Sequence, residues 1–158
     1  FLTSHNVLHL KFATGYHIVN DNVPETMFFF GGFGNREIEN EQVKQFEKMF
    51  RFPGVPIYSI TSDKFLKIMI ENTFPPLRLP NVSLASVELK NISVSIFSQG
   101  LISDSPDINK IINAGAQINI MFQHWYNLES TVSAGIAKAW WGKGNDSEWF
   151  ISWKLLKD

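Results

Sequence analysis

The sequence predicts an all-β chain: an antiparallel, up-and-down transmembrane β-barrel segment of about six strands, part of a larger barrel. Three observations lead there. Strict apolar–polar alternation recurs in six stretches, most of them longer than the usual soluble strand of about 5–6 residues. The connections between them alternate long and short. Aromatic residues collect near those connections, as interfacial girdles do.

The first stretch sets Leu8, Leu10, Phe12, Thr14, Tyr16 and Ile18 against His9, Lys11, Ala13, Gly15 and His17. After Asp63, Leu66, Ile68, Ile70 and Phe74 oppose Lys67, Met69, Glu71 and Thr73. From Val87 the pattern runs Val87 and Leu89, slips phase near Asn91, and resumes as Ile92, Val94 and Ile96; the slip predicts a β-bulge. The fourth stretch sets Ala114, Ala116, Ile118, Ile120 and Phe122 against Asn113, Gly115, Gln117, Asn119 and Gln123. In the fifth, Leu128, Val132, Ala134 and Ile136 oppose Glu129, Thr131, Ser133, Gly135 and Ala137. The last sets Trp149, Ile151, Trp153 and Leu155 against Glu148, Ser152 and Lys154. Each is long enough to cross a bilayer at a tilt.

The connections read as a very long segment over 20–62, a short turn over 75–81, a longer polar loop over 99–109, a short turn over 124–127 and a longer Gly/Asn/Asp-rich loop over 141–147. This asymmetry predicts tight turns at a periplasmic rim and long loops outside. Trp125 and Tyr126 then mark one interface, and Trp140, Trp141 and Trp149 the other.

Composition excludes several classes. The chain has 158 residues with 14 basic and 15 acidic side chains, a formal charge of −1, which lacks the electrostatic footprint of a nucleic-acid binder. With no cysteine there is no disulfide scaffold, thiolate zinc site or cysteine nucleophile. No apolar run approaches the roughly 20 residues of a transmembrane helix, whereas barrel strands are apolar only at alternate positions. The chain opens on Phe1 and its first methionine is Met27, so further polypeptide is expected upstream.

No catalytic motif is present. His9 and His17 share a strand face but lie eight residues apart, roughly 27 Å at strand rise, too far to share a metal or substrate. There is no nucleophile elbow, zinc-binding helix motif or phosphate-binding glycine loop. We expect no enzyme activity, cofactor or metal. Trp140 and Trp141 offer an alternative, a sugar-stacking platform on a soluble β-sandwich adhesin or glycan-binding module.

The segment over 20–62 carries the most information, being too aromatic for a solvated tail. It reads Phe28-Phe29-Phe30-Gly31-Gly32-Phe33-Gly34-Asn35-Arg36, passes through a charged stretch over 37–48 that suits a short helix, and returns through Arg51-Phe52-Pro53-Gly54-Val55. We expect it to fold into the barrel interior, with Arg36 either meeting Glu71 or Glu88, the inward carboxylates of the next two strands, or facing solvent.

These residues, with Phe65-Leu66-Lys67, the run from Glu71 to Pro76, Ser133-Ala134-Gly135-Ile136-Ala137 and the closing Ile151-Ser152-Trp153-Lys154-Leu155-Leu156, resemble the carboxy-terminal barrel of the BamA-like bacterial surface-antigen superfamily. They look closest to barrels that follow TolB-like propeller repeats. The likeness covers nearly the whole chain, read as one domain over 1–158. It implies strands eleven to sixteen of a sixteen-stranded barrel. It also implies a long extracellular loop whose Gly-Gly and lumen-seeking arginine correspond to Gly31, Gly32 and Arg36. Here Arg36 is followed by Glu37-Ile38 and lacks the family's Gly-aromatic pair. Trp149, Ile151, Trp153 and Leu155 resemble the family's terminal insertion signal, although the chain closes on Lys157-Asp158.

Six strands cannot close around a bilayer, and an open edge in lipid costs several kcal/mol per unsatisfied backbone group. The expected partners are therefore the lipid bilayer and the remaining barrel strands, from the same or another chain, with other outer-membrane or periplasmic proteins beyond them. The expected place is the bacterial outer membrane. The expected role is noncatalytic: protein insertion or export, or anchoring of a periplasmic domain. Arg36→Ala should loosen the long segment and create new protease cuts between Asn20 and Ser62; an unchanged cleavage pattern counts against insertion.

Overall fold

A computed structural model of the chain describes residues 6–17, 27–33, 49–78, 83–84, 87–105, 108–124, 128–142 and 144–156. Its strands are β1 (Val7–Tyr16), β2 (Phe28–Phe30), β3 (Ile60–Ser62), β4 (Lys64–Thr73), β5 (Leu77–Arg78), β6 (Ser83–Leu84), β7 (Val87–Ser103), β8 (Lys110–Gln123), β9 (Glu129–Trp141) and β10 (Gly144–Leu156). The six long strands form one antiparallel sheet in the order β1-β4-β7-β8-β9-β10, a meander in chain order, with β1 and β10 at its edges. They are the six stretches that alternation predicts. The expected bulge is present as well, since the β7–β8 register shifts between Leu89 and Asn91. No pairing joins β1 to β10 among the described residues, so the fold is an open antiparallel sheet.

The connections differ from expectation. Pro75 and Pro76 do not turn the chain. They interrupt the ladder because proline has no N–H to donate, yet the backbone stays extended: the Phe74 amide donates to Val94 (2.9 Å) and β5 pairs Leu77 with Ile92. β6 pairs with β7 as well, with Leu84 opposite Val87. The expected loop over 99–109 shrinks because β7 runs on to Ser103. That over 141–147 is a tight turn between Trp141 and Gly144, which pair directly. Gly, Asn and Ser favour loops by composition, whereas here Gly100, Gly144, Asn145 and Ser147 sit in ladders held by their neighbours. Long and short connections therefore do not alternate, and that support for a fixed orientation falls away.

Each face of the sheet has a distinct environment. One, the packed face, carries Lys67, Phe97, Gln99, Leu101, Ile111, Asn113, Ala137 and Ala139, all buried. Its cover is the first long connection, in which β2 and β3 form an antiparallel pair and Gly32 bridges to Phe52. Phe30, Phe52, Val55 and Ile60 from this inserted segment join Phe65, Leu101, Ile111 and Ala139 in the main core cluster. The other, open face presents Leu8, Leu10, Phe12, Ile68, Ile70, Ile96, Ile112, Ile136, Trp149, Ile151 and Trp153 without cover. Leu66 is likewise exposed, and Ile120 and Val132 lie outside the core.

Glycine and phenylalanine alternate across the packed face. Gly15 pairs with Phe65, Gly115 with Phe97 and Gly135 with Phe150, and in each case the ring lies where a Cβ on the glycine would stand. Such pairs let an aromatic ring lie flat across its neighbouring strand.

Candidate functional site

The inserted segment and its seat on the packed face make the candidate site. Its backbone follows from its glycines. Gly31 (φ 142°), Gly32 (φ 69°) and Gly54 (φ 99°) occupy conformations that side chains disfavour. A Cβ on Gly54 would stand 2.7 Å from the Ala139 amide nitrogen, so this turn lies directly on β9. The Gly32 amide donates to Val55 (2.8 Å) and that of Gly31 to Phe50 (3.3 Å), which closes the segment on itself.

Apolar packing then holds it to the sheet. Phe28, Phe30 and Phe50 surround Phe65, with Phe30 at 4.8 Å and edge-on. At the other end Phe33 rests on Phe150 (4.2 Å between centroids) and meets Phe97 edge-on at 6.2 Å. Three polar anchors fix the register. Glu148 on β10 accepts the amides of Phe33 (3.3 Å) and Gly54 (3.1 Å) on its two oxygens. Asn113, fully buried, donates to the Pro53 carbonyl at 2.6 Å. Lys67, also buried, donates to the Met49 carbonyl (2.9 Å) and to that of Arg51, and its ammonium lies 5.7 Å from the Phe52 ring centre. Carbonyl acceptors and a ring face reduce the cost of burying this cation.

Beyond the anchors lies a polar cavity of about 200 Å³ whose lining includes Lys11, Arg51, Glu71, Gln99 and Gln117. Farther along the same face Gln117, Asn119, Ser93 and Ser133 form a hydrogen-bonded cluster, with Asn119 accepting from Gln117 (2.6 Å) and Ser133 (2.7 Å). Among the described residues no group of three or more metal-ligating side chains could hold an ion. His124 contacts Ser130 Oγ at 2.7 Å, but that serine is buried and offers no accessible nucleophile.

The residues singled out from sequence are distributed as follows. Gly31 and Gly32 lie in the inserted segment, buried. Arg36 falls outside the described residues, as does the charged stretch over 37–48. Glu71 is on the packed face, 3.8 Å from Lys11; Glu88 is exposed and 3.5 Å from Lys90. Glu71 stands opposite Phe97 while Glu88 stands opposite Gln123, roughly 30 Å apart along β7 at strand rise, so the two do not share a site. Trp149, Ile151 and Trp153 are exposed along the open face, and Leu155 takes the next same-face register position, opposite Ser130. Trp125 and Tyr126 lie outside the described residues. Trp140 and Trp141, as strand neighbours, point to opposite faces: Trp140 is exposed and Trp141 packs against the core cluster.

The carboxylate that holds the segment, Glu148, was assigned from sequence only to a polar face. Its partners are backbone amides, which no residue pattern advertises. Asp104 is a second such case. Just beyond β7, it accepts from the Ser62 hydroxyl (2.7 Å) and the amides of Asp63 (3.0 Å) and Lys64 (3.2 Å), clipping the end of the segment to the sheet. Desolvation pushes its pKa up, but these hydrogen bonds outweigh that and hold it below the ordinary carboxylate value.

No protein-family model, curated protein or solved structure matches the chain.

Glu148→Ala leaves the Phe33 and Gly54 amides without their acceptor, an expected loss of about 1–3 kcal/mol. It should expose the bond after Arg51 to trypsin, while Glu148→Gln, which keeps an acceptor oxygen, should be milder. Equal protection in the alanine variant would mean that packing alone seats the segment. For Asp104, the depressed pKa means its contribution is present above the ordinary carboxylate value of about 4 and fades as pH falls through the lowered one. Acid should loosen the Ser62–Lys64 junction in the native chain more than in Asp104→Asn, as read by proteolysis across pH.

Proposed function

We propose that this chain is a noncatalytic segment of a bacterial outer-membrane β-barrel, with the open face toward lipid and the packed face toward a lumen plugged by the inserted segment. The observation that carries the reading is the open face. Large apolar side chains are exposed on this face of all six long strands, among them Leu10, Ile68, Ile96, Ile112, Ile136 and Trp149, and most of its positions are aliphatic or aromatic. A water-soluble protein rarely leaves a contiguous apolar surface of this extent bare. In a bilayer the same face is solvated by acyl chains.

Strand length agrees: the six run from 10 to 17 residues, against about 9–11 needed to span. The sheet's edges, β1 and β10, need partner strands, because unpaired backbone in hydrocarbon costs several kcal/mol per group. Those strands come from further polypeptide of the same barrel or a second chain. Six meandering strands, a buried Gly31-Gly32 and an aromatic terminal strand suit the carboxy-terminal portion of a BamA-like barrel. In that setting the role is outer-membrane protein insertion or export, or anchoring of a periplasmic domain, with outer-membrane or periplasmic proteins as further partners.

A soluble sandwich fits less well. Its second sheet would have to cover the open face, yet β2 and β3 lie on the other one. A glycan platform built on Trp140 and Trp141 is disfavoured because the two rings sit on opposite faces.

Fractionation tests the first step: the chain should sediment with membranes and need detergent for extraction, and a freely soluble monomer would sink the proposal. Ile118→Arg, on the open face, should cost about 2–4 kcal/mol if mid-bilayer, whereas Gln117→Arg, on the packed face, should cost much less. Equal losses in a refolding titration would mean that the faces do not differ in solvent.

A further inference from the structure

The open face has a trough at Gly100, and a lysine of the same face lines it. At Gly100 on β7 an added Cβ would meet nothing within 4 Å. The sheet glycines Gly15, Gly115 and Gly135 are each covered by a phenylalanine, so Gly100 differs in being left empty. Its cross-strand neighbours are bulky, Ile68 on β4 and Ile112 on β8, and Ile112 in turn pairs with Trp140. The next row toward the strand centres is small, with Ser98 opposite Ala114. The result is a trough of about 470 Å³ whose lining includes Leu66, Ile68, Ile102, Lys110, Ile112 and Trp140.

Outside the bulge at Lys90, the register places three charged residues on the open face of the six long strands: Lys64, Lys110 and Lys138. It places no Asp or Glu there. All three lysines are exposed, and they lie toward the end of the sheet where β4 and β8 begin and β9 finishes. Lys64 and Lys138 lean over aromatic rings, Tyr16 at 4.8 Å and Trp140 at 6.0 Å, which keeps their ammonium groups near the apolar surface. Among the described residues none of the three has a carboxylate within ion-pairing distance.

We infer that this trough binds an anionic phosphate-bearing lipid, one acyl chain lying over Gly100 between Ile68 and Ile112 and the phosphate held at Lys110, with Lys64 and Lys138 adding positive charge to the same end of the open face. The inference rests on the membrane reading above and goes further, assigning a particular lipid class to a particular place. An uncharged apolar patch would accept any acyl chain. A lysine in the wall of a carbon-lined trough selects for the headgroup as well.

The test uses the full chain extracted in nonionic detergent, with native mass spectrometry reading lipid retained from phosphatidic acid or phosphatidylcholine of identical chains. Phosphatidic acid should be retained preferentially. Lys110→Gln should weaken that retention about fivefold, the effect of one surface lysine on an anionic lipid, and Gly100→Leu, which fills the trough, should weaken it as well. Lys90→Gln, at the far end of β7, should leave it unchanged. Equal retention of the two lipids, equal losses from Lys90→Gln and Lys110→Gln, or displacement by excess glycerol 3-phosphate would each overturn the inference. A detergent-requiring chain without lipid preference defeats this inference alone; a chain soluble without detergent defeats the membrane reading with it.

Discussion

A single β-sheet has two faces, and this chain supplies an intramolecular cover for one of them. Every long strand alternates its side chains between the faces, so whatever surrounds each face selects a residue class at every second position. On the packed side, the inserted segment provides Phe30, Phe52, Val55 and Ile60, and its core partners are Phe65, Leu101, Ile111 and Ala139. Among the described residues the open side has nothing of the kind. The fold, the candidate site and the proposed setting all follow from that inequality.

The cover is seated by chemistry of two sorts. Aromatic stacking supplies area without strict direction, and the phenylalanine–glycine pairs keep rings flat enough for a second layer to approach. Direction comes from Glu148, Asn113 and Lys67, each of which meets a backbone group of the segment. Backbone partners suit an irregular segment, whose amides and carbonyls have no ladder to satisfy them and would otherwise be buried unpaired. The same need explains Asp104, which gathers a hydroxyl and two amides where β3 gives way to β4.

Much of the sheet was legible because its signal is local. Alternation through Ile118 or Trp149 names a face without reference to any other strand, and the phase slip at Asn91 marks the bulge by the same logic. Connections were less legible. The Pro75-Pro76 pair reads as a turn because proline lacks a donor, but a chain that skips two hydrogen bonds and stays extended looks identical in sequence. The difference lies in whether β7 reaches far enough to pair with Leu77 and Leu84, which is a property of β7. In the same way Gly142 and Gly144 suggested a long loop, while the pairing of Gly144 with Trp141 makes it a tight turn.

Sequence alone determined the six long strands, their order as a meander and the face of their alternating residues, since a two-residue repeat is a property of the strand itself. It also marked the segment containing Gly31, Gly32 and Phe52 as too aromatic to remain uncovered. Tertiary structure decided where that segment sits, which carboxylate holds it and which glycine stays empty. Glu71, Glu88 and Glu148 are equivalent as sequence; only the approach of Gly54 to β9 brings two amides within reach of Glu148. Gly15, Gly100, Gly115 and Gly135 are equally bare, and what separates them is whether a phenylalanine occupies the paired position on the neighbouring strand.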